Sequence, residues 1–152
     1  MESRERTLFL VKPDAMQRGL AGEIISRLER RGLRIAGMKL VHITRDTAEE
    51  HYGEHKGKSF YDGLVNYITG CPVIAIAWEG TNAVQVVRNT IGVTDPTAAA
   101  PGTIRGDLGL ERGRNLVHAS DSTESSAREL RLFFQENELI DWRRDTDTWI
   151  FE

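Results

Sequence analysis

Val73 to Trp78, VIAIAW, is the longest apolar run in the chain. It is far too short for a membrane helix, which takes about 20 residues, but it has the length of a buried strand. We read a strand over Pro72–Ala77, around which the remaining segments must pack. Thr7-Leu-Phe-Leu-Val11 reads as another buried strand, stopped by Lys12-Pro13-Asp14 with Asp14 capping the next element. Residues 33–43 alternate imperfectly. Leu33 and Ile35 share one parity, Met38 and Leu40 the other, and a bulge near Gly37 accounts for the change. Asn115-Leu-Val-His118 makes a short last strand.

Helical spacing fills the gaps. Leu20, Ile24, Ile25 and Leu28 recur on one face, and Gly32 closes that helix. Further helices are expected over 46–54, 60–69 and 82–91. A last one opens at Asp121-Ser-Thr-Glu124 and runs to about Glu136. Four strands with interleaved helices, in one domain spanning 1–152, imply an α/β (α+β) sandwich, with a split β-α-β ferredoxin-like sheet among the leading forms. Residues 93–114 show no period and carry two prolines, four glycines, Arg105, Arg112 and Arg114. We expect a long loop there. Glycines beside arginines let a backbone wrap closely around phosphates.

Charge limits the function. Charged residues make up 28% of the chain but the net charge is only −3, which argues against a general nucleic-acid or membrane-surface binder. The single cysteine, Cys71, suits a reducing compartment. The charged opening MESRERT lacks a secretory apolar region, so a soluble, cytoplasmic protein is expected.

Two motifs mislead. Gly53-Glu-His-Lys-Gly-Lys-Ser59 resembles a phosphate-binding P-loop but has three residues between its glycines instead of four, and it comes after a helix. His51-Tyr-Gly-Glu-His55 has a zinc-peptidase spacing. Gly53 weakens that helix, however, and no acidic ligand stands downstream, so we expect an exposed helix end.

His118 is more promising. It closes a strand just before a helix N-terminus, where unpaired amides stabilise an anion. Glu129 lies seven residues beyond Ser122, on the same helix face, and can fix the imidazole tautomer. Lys12 ends the first strand and the arginine loop precedes the last, so cations can converge on the same edge.

These stretches also match a known pattern. N-L-V-H-A-S-D at 115–121, K-P-D at 12–14, Q-R-G at 17–19 and P-G-T-I-R-G-D at 101–107 resemble nucleoside diphosphate kinases, and the likeness runs to the Trp149-Ile-Phe-Glu152 terminus of the longer members. Ala119 is a variation where glycine is commoner. The resemblance implies a four-stranded antiparallel ferredoxin-like sheet covered by helices. It also implies ping-pong transfer of a γ-phosphoryl group from a nucleoside triphosphate to a diphosphate through His118. Carried over by position, Glu129 orients His118, Ser120 supports that carboxylate, and Tyr52 lies nearby. Phe60 stacks on the base beside Leu64, with Arg112 over the other face. Lys12 and Asn115 contact the sugar hydroxyls, and Lys12 also reaches the transferred phosphate. Arg88, Thr94 and Arg105 hold the remaining phosphates, and Mg²⁺ is held mainly by the phosphates themselves.

The partners implied are ribo- and deoxyribonucleoside di- and triphosphates, and further copies of the chain in a homohexamer; neither nucleic acid nor membrane is required. The rival reading is an RNA-binding module, since such sheets also carry RNA. Against it, Val73 to Ala77 are aliphatic where an RNA-recognition sheet presents aromatics.

Overall fold

In the computed structural model, which describes residues 4–152, β1 (Glu5–Val11) lies between two antiparallel neighbours. On one side it pairs with β3 (Val73–Gly80), Phe9 opposite Ile76. On the other it pairs with β4 (Val117–Ala119), Leu10 opposite His118. β2 (Arg34–Val41) pairs antiparallel with β3, and the register shifts between Ile35 and Gly37, where the bulge was expected. The order β2-β3-β1-β4 is that of the ferredoxin-like sheet. Met1 to Ser3, the start of the charged opening, lie outside the described residues. No helix among the described residues is long and apolar enough to cross a membrane.

Alternation along the strands sends side chains to two layers. Phe9, Val11, Ile76, Trp78, Val117 and Ala119 face α2 (Ala21–Arg30) and α5 (Ala83–Ile91) through Ile24, Leu28, Val87 and Ile91. Leu8, Leu10, Ala75 and Ala77 face α3 (Arg45–His51), α4 (Tyr61–Ile68) and α7 (Thr123–Phe133) through Ala48, Val65, Ile68, Leu130 and Phe133. Leu8, Phe9, Leu10 and Ile76 are fully buried, and each such burial stabilises the fold by roughly 1.5–3 kcal/mol. Because Val117 and Ala119 belong to the first layer, His118 between them points to the α7 side.

Several boundaries differ from expectation. Pro13 ends β1 but also opens a short helix, α1 (Pro13–Gln17), because its fixed φ suits a first helical turn. Asp14 is therefore inside that helix and caps nothing. β3 extends to Gly80, and α7 stops at Phe133 instead of Glu136. The 93–114 stretch contains a 3₁₀ turn (Pro96–Ala98), a short helix α6 (Ile104–Leu108) and an isolated bridge between Glu111 and Arg114. Side chains build these pieces. Asp95 accepts from the Thr97 amide, and the Thr103 hydroxyl accepts from the Gly106 amide at 3.0 Å. Gly106 is obligatory, since a Cβ there would sit 2.0 Å from the Ala100 carbonyl oxygen.

The C-terminal segment lies along β2. The Ile140 amide donates to Ala36 O at 2.7 Å, the Trp142 indole donates to Ile35 O, and Arg144 reaches the carbonyls of Gly32 and Leu33. Beneath it, buried Arg34 pairs with Glu79 and with Asp147. Trp149 is 89% exposed, and Met38, Leu40 and Ile150 also present apolar surface.

Candidate active site

The site begins with a strained residue. Leu116, just before β4, is fully buried and has φ +77°, a conformation that costs a branched side chain of this size on the order of 1–3 kcal/mol. Its surroundings fix it. The Leu116 amide donates to Asp14 Oδ2 at 3.0 Å, and its carbonyl accepts from the Lys12 amide at 2.9 Å. The other Asp14 oxygen accepts the Tyr67 hydroxyl. Left-handed backbone at Leu116 is also why β4 starts at Val117 and not at Asn115.

Lys12, Arg88, Thr94, Arg105, Asn115 and His118 line one cavity of about 300 Å³, together with Tyr52 and Glu129. Lys12 Nζ donates to Asn115 Oδ1 at 2.8 Å, and Asn115 Nδ2 donates to Thr94 O at 3.1 Å. Burial, reinforced by the charge of Arg105, lowers the Lys12 amine from 10.5 to about 8. Arg105 is buried and donates to the carbonyls of Asn115, Gly92 and Val117 at 3.1, 3.0 and 2.8 Å. Burial and then Arg88 lower it to about 10, so it stays charged at neutral pH. Two of its five N–H donors remain for a ligand. Arg88 donates to Ala119 O at 3.3 Å. Arg128, which the sequence did not single out, adds a further cation to the wall. The cavity is built for an anion.

His118 Nε2 meets Glu129 Oε1 at 2.5 Å, and the Ser120 hydroxyl donates to the same oxygen at 3.2 Å. A carboxylate on Nε2 favours the tautomer protonated there and leaves Nδ1 with its lone pair. Among the described residues Nδ1 has no hydrogen-bond partner. Tyr52 stands close by. Burial and then the Glu129 charge push its phenol up to about 12, so it remains an O–H.

His51 corrects the expectation of an exposed helix end. It is the last residue of α3, only 6% exposed, with its ring edge-on to His118 at a centroid distance of 4.7 Å. Burial, with His118 as the next cause, lowers it to about 2, which makes it neutral. The readable signal was Ala48, three residues earlier and also buried: both lie on the inward face of α3. His55 turns instead toward Phe60, ring to ring at 5.4 Å. The P-loop lookalike forms a 3₁₀ turn, Gly53–His55, with exposed Lys56 and Lys58 just beyond it.

Phe60, Leu64 and Arg112 do not line the cavity. Phe60 and Arg112 are exposed and Leu64 is half-buried. Phe60 is reached from the cavity through His55, which does line it. Two hollows of similar size beside the C-terminal segment, lined by residues such as Arg4, Thr81 and Phe151, include no histidine, cysteine or lysine in their lining.

Comparison with known proteins gives one answer. A family model described as nucleoside diphosphate kinase matches residues 5–139. The nucleoside diphosphate kinase of Carboxydothermus hydrogenoformans is 55% identical over 97% of this chain and 99% of its own. That of Archaeoglobus fulgidus is 55% identical over 97% and 98%. Among solved structures, a halophilic nucleoside diphosphate kinase from Halobacterium salinarum in complex with CDP superposes with a TM-score of 0.96. It is 50% identical and covers 99% of this chain and 100% of its own.

Proposed function

Because the chain belongs to the nucleoside diphosphate kinase family, a phosphotransferase family acting on nucleotides, we propose that its γ-phosphoryl exchange runs through His118 in the cationic cavity. The observation that carries this reading is an imidazole with one nitrogen held by a carboxylate at 2.5 Å and the other left free beside Lys12, Arg88 and Arg105.

In the first half-reaction the Nδ1 lone pair attacks the γ-phosphorus, the bond to the bridging oxygen breaks, and the diphosphate leaves with that electron pair. In the second, a terminal oxygen of another diphosphate attacks the phosphohistidine and the N–P bond breaks. Substituted at Nδ1 and protonated at Nε2, the ring becomes cationic, and Glu129 stabilises it there with Ser120 holding the carboxylate. Lys12, Arg88 and Arg105 stabilise charge on the phosphate oxygens, with Thr94 completing the grip. Tyr52, as a neutral phenol beside Glu129, adds a donor without adding charge. Lys12 and Asn115, already joined, face the sugar hydroxyls. Phe60 stacks on the base next to Leu64, with Arg112 over the opposite face. That the Halobacterium salinarum enzyme was solved in complex with CDP supports nucleotide binding by this chain.

The divalent metal that such phosphotransferases typically use enters as part of the substrate, and Mg²⁺ is our reading of it. The cluster of His51, His118 and Glu129 offers two nitrogens and one carboxylate. That is a poor set for Mg²⁺, which prefers oxygen ligands. The single cysteine supports a reducing, cytoplasmic setting, and exposed Trp149 supports self-association into a homohexamer.

The test is covalent labelling. With γ-labelled ATP and Mg²⁺ the chain should take up one phosphoryl group, lost in acid and stable in alkali as a phosphohistidine is. His118→Ala should abolish label and turnover while nucleotide binding persists. Label that survives acid, or persists in His118→Ala, would remove His118 from the mechanism.

A further inference from the structure

The exchange reaction leaves His51 without a task. It is buried, and among the described residues neither ring nitrogen has a hydrogen-bond partner, although buried polar groups are nearly always satisfied. One donor atom from each of His51, His118 and Glu129 lies within 4.8 Å of the others. The three come from α3, β4 and α7, so packed elements hold them in place.

We propose that His51, His118 and Glu129 form an inhibitory site for a borderline divalent metal ion, with Zn²⁺ as the type case, open in the free enzyme and closed once His118 is phosphorylated. Two imidazoles and a carboxylate are a ligand set that zinc takes up with a fourth position left to water. Zinc–ligand bonds of about 2.0–2.2 Å put tetrahedral donors roughly 3.4 Å apart. Drawing atoms now within 4.8 Å to that separation takes side-chain shifts of under about 1.5 Å. The same set discriminates against Mg²⁺, so the cation that accompanies the nucleotide does not compete.

Inhibition arises from the atoms the metal occupies. Bound to His118 Nδ1, it takes the lone pair that attacks phosphorus. Bound to Nε2, it displaces one proton to solvent and replaces the hydrogen bond by which Glu129 orients the ring. A phosphoryl group on Nδ1 in turn uses that lone pair and leaves the ring cationic with its proton on Nε2 against Glu129, so neither nitrogen is left to hold a metal. Lys12, Arg88, Arg105 and Arg128 around the cavity repel a second cation, and the Glu129 carboxylate offsets them only in part. The site therefore suits an ion that is scarce and strongly coordinating, not one that is abundant.

The experiment is a titration of the nucleotide-free protein with Zn²⁺ alone by calorimetry, repeated with Co²⁺ for its visible absorption bands. One ion per chain is expected at micromolar concentration. His51→Gln should weaken binding about tenfold or more, since losing a ligand costs at least what losing a supporting partner does. Protein phosphorylated with ATP and Mg²⁺ and then desalted should take up no ion. Equal affinity in His51→Gln, undiminished uptake after phosphorylation, or no uptake at micromolar Zn²⁺ would each overturn the proposal. Should His51→Gln fail to fold, the phosphorylation arm decides on the unaltered chain, and His118→Ala decides if no phosphoenzyme forms. Because the titration needs no nucleotide, its failure is separable from failure of the phosphohistidine reading.

Discussion

Glu129 touches His118 with the same oxygen, Oε1, that accepts the Ser120 hydroxyl, so one atom both orients the imidazole and is itself restrained. Glu129→Gln keeps the shape and removes the charge that stabilises the ring once it turns cationic. It should lower kcat by about 10²–10⁴ with little change in KM, as removal of a proton-handling partner does. Ser120→Ala loses one hydrogen bond worth about 1 kcal/mol, hence roughly a fivefold decrease. Steady-state kinetics with ATP and a diphosphate acceptor measure both. Equal losses would show that Ser120 acts directly.

Lys12 should set the alkaline limit. Its amine is lowered to about 8 by burial and by Arg105. As pH rises from 7 through 8 to 9 the free protein loses that positive charge, so the affinity for an anionic nucleotide falls and KM rises. The bound phosphates favour the protonated amine, so kcat should bend at a higher pH than kcat/KM. Lys12→Met should remove the bend near 8. An unmoved bend in that variant would assign it to another group.

Asp14 should matter for stability as well as for rate. Its two oxygens hold the Leu116 amide and the Tyr67 hydroxyl, tying α1 and α4 to the strained residue before β4. Asp14→Ala leaves the Leu116 amide unsatisfied, which costs about 1–3 kcal/mol, and frees the strained backbone to relax. A lower melting temperature with reduced kcat is expected. Tyr67→Phe should reproduce only a fraction of both effects.

How much of the molecule was legible depended on distance along the chain. The four strands, the bulge at Ile35–Gly37 and the long helices were readable because apolar periodicity is local. The five-residue helices α1 and α6 were not, since neither is long enough to show a 3.6-residue period. Lys12, His118 and Glu129 stood out by residue type and spacing. The left-handed Leu116 could not be foreseen, because its main support is an aspartate 102 positions away. The burial of His51 is hard to read because Gly53 weakens a helix over 46–54, whereas α3 ends at His51, two residues before that glycine.

Acid should loosen the C-terminal segment first. Burial alone would raise the Glu79 carboxyl, but hydrogen bonds from Arg6 and Arg34 outweigh it and hold the group below its ordinary 4.5. For Asp147 burial likewise opposes, and the Arg144 amide and guanidinium bring it down to about 2. Depressed carboxylates stabilise the folded state above their unfolded values, and that contribution is lost as pH falls through the folded ones. The melting temperature should therefore drop between about pH 4.5 and 2, and Asp147→Asn should flatten the lower part of the curve. A pH-independent melting temperature over that range would contradict the assignment.

Trp149 should be covered in solution. It is 89% exposed, and Leu40, Met38 and Ile150 are 67%, 53% and 42% exposed, so a further copy of the chain has apolar area to bury. Light scattering at micromolar concentration should give the mass of a hexamer, and Trp149→Arg a smaller species. A monomeric mass for the unaltered chain would refute self-association.

The pairing of Leu10 with His118 makes the chemistry depend on parity. β4 has three residues, and neighbouring side chains on a strand point to opposite layers. Deleting or inserting one residue there would turn the imidazole in among Val87 and Ile91 and put valine or alanine over the cavity. The sheet can absorb such an indel by re-pairing, but His118 would then face the wrong side of the molecule. Length changes between Leu116 and Ser120 thus act in all-or-none fashion, where most substitutions act by degree.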